Sequence, residues 1–103
     1  MSIAVALEEL PEKLAEYPWC YLVTSGEDRP HLLAVKPTVV KDGLRCETGH
    51  SSRANVVRNA LVVLMFPPTQ PDGLSLIVDG QGEVNGDGVV VRPTWAVLHR
   101  SAM

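Results

Sequence analysis

The stretch that decides the fold is Cys46–Phe66, CETGHSSRANVVRNALVVLMF, in which a strand, a small-residue turn, a short helix and a second strand follow without slack. Glu47, Thr48, Gly49 and His50 close the first strand. Ser51 or Ser52 is placed to cap a helix over 52–59, and Leu61–Phe66 is apolar enough to be a buried strand. The first turn of that helix carries two hydroxyls and the guanidinium of Arg53. Hydroxyls, free backbone N–H groups and a guanidinium together are the chemistry that holds an anion.

Around this stretch the chain has 103 residues, 46% hydrophobic and 20% charged, which predicts one domain over 1–103 with a modest core. A chain of this size buries only about 60 to 65% of its unfolded surface, so cover from a second copy is expected to help it. No apolar run approaches the ~18 residues of a membrane span, and no basic segment followed by an apolar one marks a secretory leader. The cytoplasm is the expected compartment. Cys20 and Cys46 are too few and too far apart for a disulfide scaffold and read as two buried thiols.

The net charge of −3 conceals an asymmetry. Between residues 29 and 58, six cations (Arg29, Lys36, Lys41, Arg45, Arg53 and Arg58) stand against Asp42 and Glu47, a local balance of +4. A generally basic nucleic-acid surface is excluded. One compact positive region suits a small phosphorylated ligand, or is simply a solvated strand face.

Taken in order, Ile3, Leu7, Leu10 and Leu14 are spaced as one helical face, with Pro11 either in the first turn of a shorter helix or at a kink. Trp19–Thr24 reads as a strand, as does His31–Val40, in which Pro37 calls for a bulge or an unpaired edge. A tight turn at Lys41-Asp42-Gly43 leads into Leu44–Thr48. After the central stretch come a proline-bearing loop at 67–73 and an alternating strand from Leu74 to Val84. In that strand Gly80 and Gly82 fall on the apolar phase, where a bend or a close backbone approach is expected. Asn85-Gly86-Asp87-Gly88 is the strongest hairpin signal, returning into Val89–Arg92. The tail after Pro93 reads as a helix or a docked arm, with Trp95, Val97 and Leu98 covering the end of the barrel. Six strands joined by tight turns and two or three short helices predict a mainly β fold, a small antiparallel barrel.

Three other readings fail on spacing. Gly80-Gln81-Gly82 with Gly86 is not G-x-G-x-x-G and precedes a hairpin rather than a helix. Cys46 and His50 lack a second pair to complete a metal site, and His31 and His99 are isolated. No serine stands in a G-x-S-x-G turn.

The order HLLAVK, hairpin, ETGHSSRA, NALVVLMFPP, IVDGQGEV resembles the pyridoxamine 5′-phosphate oxidase-like, FMN-binding split β-barrel family over roughly residues 11 to 92. The resemblance implies a six-stranded antiparallel split barrel of Greek-key type, a homodimer, and FMN held between the protomers. It further implies an oxidoreductase acting on a small molecule by hydride transfer at flavin N5. Ser52 and Arg53 match the family's phosphate-binding turn, with Ser51 beside them, and Thr48 matches the strand end that touches the cofactor. Lys36 matches a lysine placed against the flavin. His31 replaces an arginine at the other end of that strand, and Leu74-Ser75 replaces an Arg-Gln pair, so that Ser75 offers a hydroxyl where an amide would meet the ring. The family's C-terminal extension with Trp and Arg contacts to substrate is not matched, so oxidation of pyridoxamine 5′-phosphate itself is not expected.

Read physically, the helix start, Ser51, Ser52 and Arg53 would hold a dianion, and Lys36 near the ring would favour its reduction. Removing an Arg53 that serves only an anion should leave the stability of the fold nearly unchanged. Other classes stay open: a reductase using the deazaflavin F420, with Arg29, Arg45 or Arg58 along a longer phosphorylated tail; a non-catalytic flavin-binding protein; and a cofactor-free structural dimer.

Overall fold

The computed structural model describes residues 2–102 and holds eight strands and two short helices. In chain order these are β1 (Ser2–Ala4), a 3-10 turn (Leu7–Glu9), α1 (Leu10–Leu14), β2 (Cys20–Ser25), β3 (Pro30–Val35), β4 (Thr38–Val40) and β5 (Gly43–Glu47). Then follow α2 (His50–Arg58), β6 (Leu61–Phe66), β7 (Leu74–Asn85) and β8 (Gly88–Arg100). All pairings are antiparallel in the order β3-β2-β6-β7-β8-β5-β4, with β1 added to β8. The run β6-β7-β8-β5 is the Greek-key arrangement: a hairpin-connected meander whose remaining strand returns through a longer connection, here α2.

The strand order forces the sheet to curl. β3 and β4 stand at opposite ends of the seven-strand path, and laid flat they would lie about 29 Å apart at the usual interstrand spacing. Only Lys36 and Pro37 separate them in the chain, and the three peptide steps from Val35 to Thr38 reach at most about 11 Å. The two ends must meet, which bends the sheet into a barrel. Pro37, which cannot donate to a ladder, sits where the expected single strand His31–Val40 breaks into two edge strands.

Inward residues follow the period of two. Cys20, Leu22 and Thr24 of β2 point inside, as do Val62, Leu64 and Phe66 of β6, Leu76 and Val78 of β7, and Val89 and Val91 of β8. Phe66, Leu22, Leu64 and Leu76 are fully buried, each contributing about 1.5–3 kcal/mol relative to exposure. The N-terminal turns are latched to this core. Leu10 is buried, the Tyr17 ring meets Phe66 edge-on at 6.1 Å, and the Tyr17 hydroxyl donates to the Leu74 carbonyl at 2.8 Å.

The differences from the sequence expectations have local causes. Two of the eight strands exceed the six expected: one arises from the break at Pro37, the other is β1. Ile3 does not belong to a helical face; it pairs with Leu98, and the Val5 N–H donates to the Ala96 carbonyl at 2.9 Å, because the distal half of β8 leaves an edge free there. The α-helix is short and begins at Leu10, with Pro11 in its first turn. The tail is neither helix nor arm: β8 runs through it to Arg100. Pro93 is tolerated because it falls at the register shift beside Gly80, just past Val91, the last β8 residue paired to β5. Gly80 permits that shift, since a Cβ there would come within 2.7 Å of both the Arg92 carbonyl oxygen and Val91 Cγ1. Gly82 permits the close approach of α2, whose Val56 Cγ1 would meet its Cβ at 3.2 Å.

Candidate functional site

Helix α2 covers one end of the barrel and presents Ser52, Asn55 and Val56 to the interior. The spacing 52, 55, 56 is one face of a short helix. Asn55 Nδ2 donates to the buried Thr24 Oγ1 at 3.0 Å, and Arg58 Nη2 donates to Asn55 Oδ1 at 3.0 Å and to the Ser25 carbonyl at 3.2 Å. Two hydrogen bonds thus fasten the helix to the end of β2, and the third, within the helix, braces Asn55. Asn55, Thr24 and Ser25 were not singled out from the sequence; the i, i+3 relation of Asn55 to Ser52 was the available signal.

The helix begins two residues earlier than the serines suggested. Gly49, in extended backbone, is the N-cap, and no side chain caps the first turn. Ser51 and Ser52 therefore lie inside the turn rather than before it, a correction to the expected cap and to the expected span 52–59. Glycine serves as an N-cap almost as well as a hydroxyl residue, and it leaves the hydroxyls unspent. The first turn also carries no acidic residue. Its leading N–H groups have no intrahelical acceptor, as at any helix start.

Unspent polar atoms gather at this turn. Ser52 is 1% exposed and its Oγ has no hydrogen-bond partner, nor has the buried Thr48 Oγ1 at the end of β5. A buried hydroxyl without a partner costs about 1–3 kcal/mol, which a bound oxygen or phosphate would recover. The buried Nδ1 of His31 is likewise without a partner. His31 faces inward opposite Thr24, and it lines with Ser51 and Asn55 a cavity of about 190 Å³ whose rim carries Glu27, Asp28 and Arg29.

Arg53 is more occupied than its position implied. Its Nη1 donates to the Thr48 carbonyl at 2.7 Å and to the Asp87 carbonyl at 2.9 Å, tying α2 to the end of β5 and to the β7–β8 hairpin. Arg45 holds the same hairpin from β5, donating to Asn85 Oδ1 and to the Asn85 carbonyl, each at 3.1 Å, and pairing with Glu47. Of the six cations between residues 29 and 58, Arg45, Arg53 and Arg58 therefore do structural work.

The remaining expected site residues are scattered within one chain. Lys36 is exposed beyond the end of β3, five residues and about 17 Å of strand from His31. Ser75 pairs with His99 near the start of β7, about 23 Å along the strand from Gly82, where α2 packs. The structure brings together Thr48, Ser51, Ser52 and Arg53, with His31 at the adjoining cavity. It does not bring Lys36 or Ser75 to them. Cys20 and Cys46 are both buried and free, as expected. Among the described residues no group of side chains could hold a metal ion, and no helix is long and apolar enough to cross a membrane.

No protein-family model matches the chain. Solved structures share its fold over almost its whole length. They include a FAD-binding protein from Mycobacterium smegmatis (TM-score 0.68, 17% identity, 98% of this chain and 99% of that one). Another is a FAD-binding protein from Mesorhizobium loti (TM-score 0.70, 12% identity, 98% of each chain). A third is a putative 5-nitroimidazole antibiotic resistance protein from Bacteroides thetaiotaomicron (TM-score 0.66, 13% identity, 97% and 89%). The chain thus has the curled antiparallel barrel found in those proteins. In sequence it is 34% identical over 116 aligned residues to the uncharacterized protein Mb0449c of Mycobacterium bovis, spanning 95% of this chain and 82% of that protein, and equally so to MT0457 of Mycobacterium tuberculosis. It belongs to the same family as these two mycobacterial proteins.

Proposed function

We propose that the protein binds a flavin nucleotide, FMN in the first instance, as a homodimeric oxidoreductase acting on a small molecule. The observation that carries this reading is the first turn of α2, where Ser52 Oγ and Thr48 Oγ1 are buried without partners beside an uncapped, acid-free helix start. A phosphate fits that chemistry. The N–H groups of the first turn, the two hydroxyls and the guanidinium nitrogens of Arg53 not used on Thr48 and Asp87 would hold it by charge-assisted hydrogen bonds. His31, in the adjoining cavity, would supply a hydrogen-bonding nitrogen. When bound, the isoalloxazine ring supplies hydride transfer at N5.

Lys36 and Ser75 would join the site only from a second copy, and the outer face of the barrel supports one. Across four strands and β1, Tyr21, Met65, Ile77, Val97 and Ala4 form one cross-strand row, with Ala34 of β3 beside Tyr21. An apolar row this long on a small domain is suited to a protomer interface.

The names of two proteins that share the fold make FAD the second reading. F420 is less suited, because Arg45 and Arg58, two of the three cations reserved for its tail, are tied to Asn85, Glu47, Ser25 and Asn55. The test is a titration of the protein with FMN, FAD, F420 and riboflavin, followed by flavin fluorescence (deazaflavin fluorescence for F420). FMN should bind at least about tenfold more tightly than riboflavin, the value of one charge-assisted contact. Riboflavin binding as tightly as FMN would remove the phosphate from α2, and no saturable binding of any of the four would end the reading.

A further inference from the structure

We propose that the two copies in the homodimer lock together through Trp95 and Asp79: the partner's Trp95 enters the cleft over Asp79 and donates its indole N–H to that carboxylate. A two-fold axis repeats the contact in the other direction. This pairing rests on the homodimer proposed above and deepens it by naming the contact that sets its register.

The cleft lies on the outer face, one row along the strands from Tyr21, Met65 and Ile77. Asp79 of β7 lies opposite Trp95 of β8, whereas the next β7 residue, Gly80, lies opposite Pro93, so Thr94 is an extra residue in β8. Such an insertion bends a strand and re-aims the side chains beside it. The Thr94 hydroxyl donates to the Asp79 carbonyl at 3.2 Å and fixes the distortion. Beside it opens a cavity of about 550 Å³ lined by Val23, Pro30, Leu61, Val63, Asp79 and Thr94, among others. A second copy lying flat on this face would leave that hollow empty, and an empty hollow forfeits the contacts of its lining. A large side chain has to project into it.

Two polar groups on the same face lack partners, and they are complementary. Asp79 is the one ionisable residue lining the cavity, half-buried and without a hydrogen bond or ion pair among the described residues. Covering a carboxylate with an apolar surface is costly unless the cover brings a donor. Trp95 stands across the ladder from Asp79, outside the cavity and 53% exposed, and its indole N–H has no acceptor among the described residues. An indole is a donor only, and a buried one normally finds an acceptor. Within one chain the two groups stand on adjacent strands without bonding each other. In a two-fold interface a contact from i to j is matched by one from j to i, so an axis beside this pair carries each indole to the other copy's carboxylate. Tryptophan filling a pocket at the centre of an interface is also the commonest kind of anchor.

The experiment mixes two variants of the full chain. Trp95→Phe keeps an aromatic ring and loses the N–H; Asp79→Val keeps a strand-favouring side chain and loses the acceptor. Each variant's own dimer lacks both contacts, whereas a mixed dimer regains one. Counted by native mass spectrometry, mixed dimers should outnumber the two homodimers together about tenfold, the value of one charge-assisted contact. A bond within one chain would be missing from both variants and would give random mixing. In sedimentation, the Trp95→Phe dimer should dissociate at least about tenfold more readily than the wild type. In the ¹⁵N-labelled wild-type dimer the Trp95 indole N–H should exchange slowly with water, a reading that needs no variant. Random mixing, a Trp95→Phe dimer as tight as wild type, or fast exchange of that N–H would each overturn the pairing while leaving the homodimer standing. A monomeric wild type would remove both.

Discussion

Asn55 Nδ2 donates to Thr24 Oγ1 at 3.0 Å in a fully buried bond, and this contact fixes how α2 closes the barrel. Thr24 points inward from β2 at 2% exposure and Asn55 inward from the helix at 7%. Neither can turn to water.

Asn55→Ala should therefore destabilise the fold by about 1–3 kcal/mol, since it leaves the Thr24 hydroxyl and one Arg58 donor without their partner. Urea unfolding reads this as a lower midpoint at unchanged slope. The double change Asn55→Ala, Thr24→Val should be less than additive. Strict additivity would show that the bond contributes nothing.

Arg53 ties α2 to the β7–β8 hairpin and is proposed to hold the cofactor phosphate, and one substitution tests both roles. Arg53→Ala should lower FMN affinity by one to two orders of magnitude, about 1.5–3 kcal/mol. Because Nη1 also ties the Thr48 and Asp87 carbonyls, it should destabilise the ligand-free protein by about 1 kcal/mol, contrary to the nearly neutral effect that position alone suggested. An FMN affinity equal to wild type would take Arg53 out of the cofactor site while leaving its tie to the hairpin intact.

The cysteines predict an alkaline limit. Burial pushes the Cys20 thiol up to about 12, with the nearby Cys46 adding to the rise. Burial likewise pushes Cys46 up to about 11, although Arg45 opposes the shift. The fold thus favours neutral thiols: their contribution is complete below the unfolded value near 9 and is lost as pH rises towards 11 to 12. Stability should fall over that window. Cys46→Ala should flatten the pH profile there while costing stability at pH 7 through the small cavity it leaves. A thiol reagent at pH 8 should react with neither cysteine until the protein unfolds.

If a second copy covers the outer face, the native protein should sediment as a dimer at micromolar concentration, and Met65→Lys should shift it to monomer. Met65 lies mid-row on β6 and is half-buried, so the lysine remains compatible with the protomer fold. A wild-type monomer with a cooperative thermal transition would remove the dimer, and with it any role for Lys36 and Ser75 beside the cofactor.

What was legible in the sequence is what local chemistry dictates. The alternation in β7, the hairpin at Asn85–Gly88 and the two special glycines all appear as read. Their signals lie within a few residues. The break at Pro37 was visible, but its result, two strands on opposite edges of the sheet, depends on the whole strand order. Ile3 was misread because an apolar residue at helical spacing serves equally well as a strand residue when a free edge awaits it. Trp95 was expected to cover the end of the barrel. It faces outward because the extra residue Thr94, at the register shift beside Gly80, changes the phase of β8, and nothing in the spacing of β8 announces it. At the site, Thr48, Ser51, Ser52 and Arg53 are close in sequence and were found together; Asn55 to Thr24 spans 31 residues and was not.

The two-residue link between β3 and β4 also bears on how the chain folds. The strands farthest apart in the sheet are among the nearest in sequence, so bringing the barrel's ends together carries almost no loop-closure entropy. The entropic cost falls instead on β2 with β6 and β5 with β8, whose partners lie some 40 residues apart, and on β1 with β8, whose partners lie more than 90 apart. A circular permutant with its new termini between Lys36 and Pro37 would keep every ladder in the sheet. It would lose the covalent hinge, and refolding rates of the two topologies would show whether the ends find one another unaided.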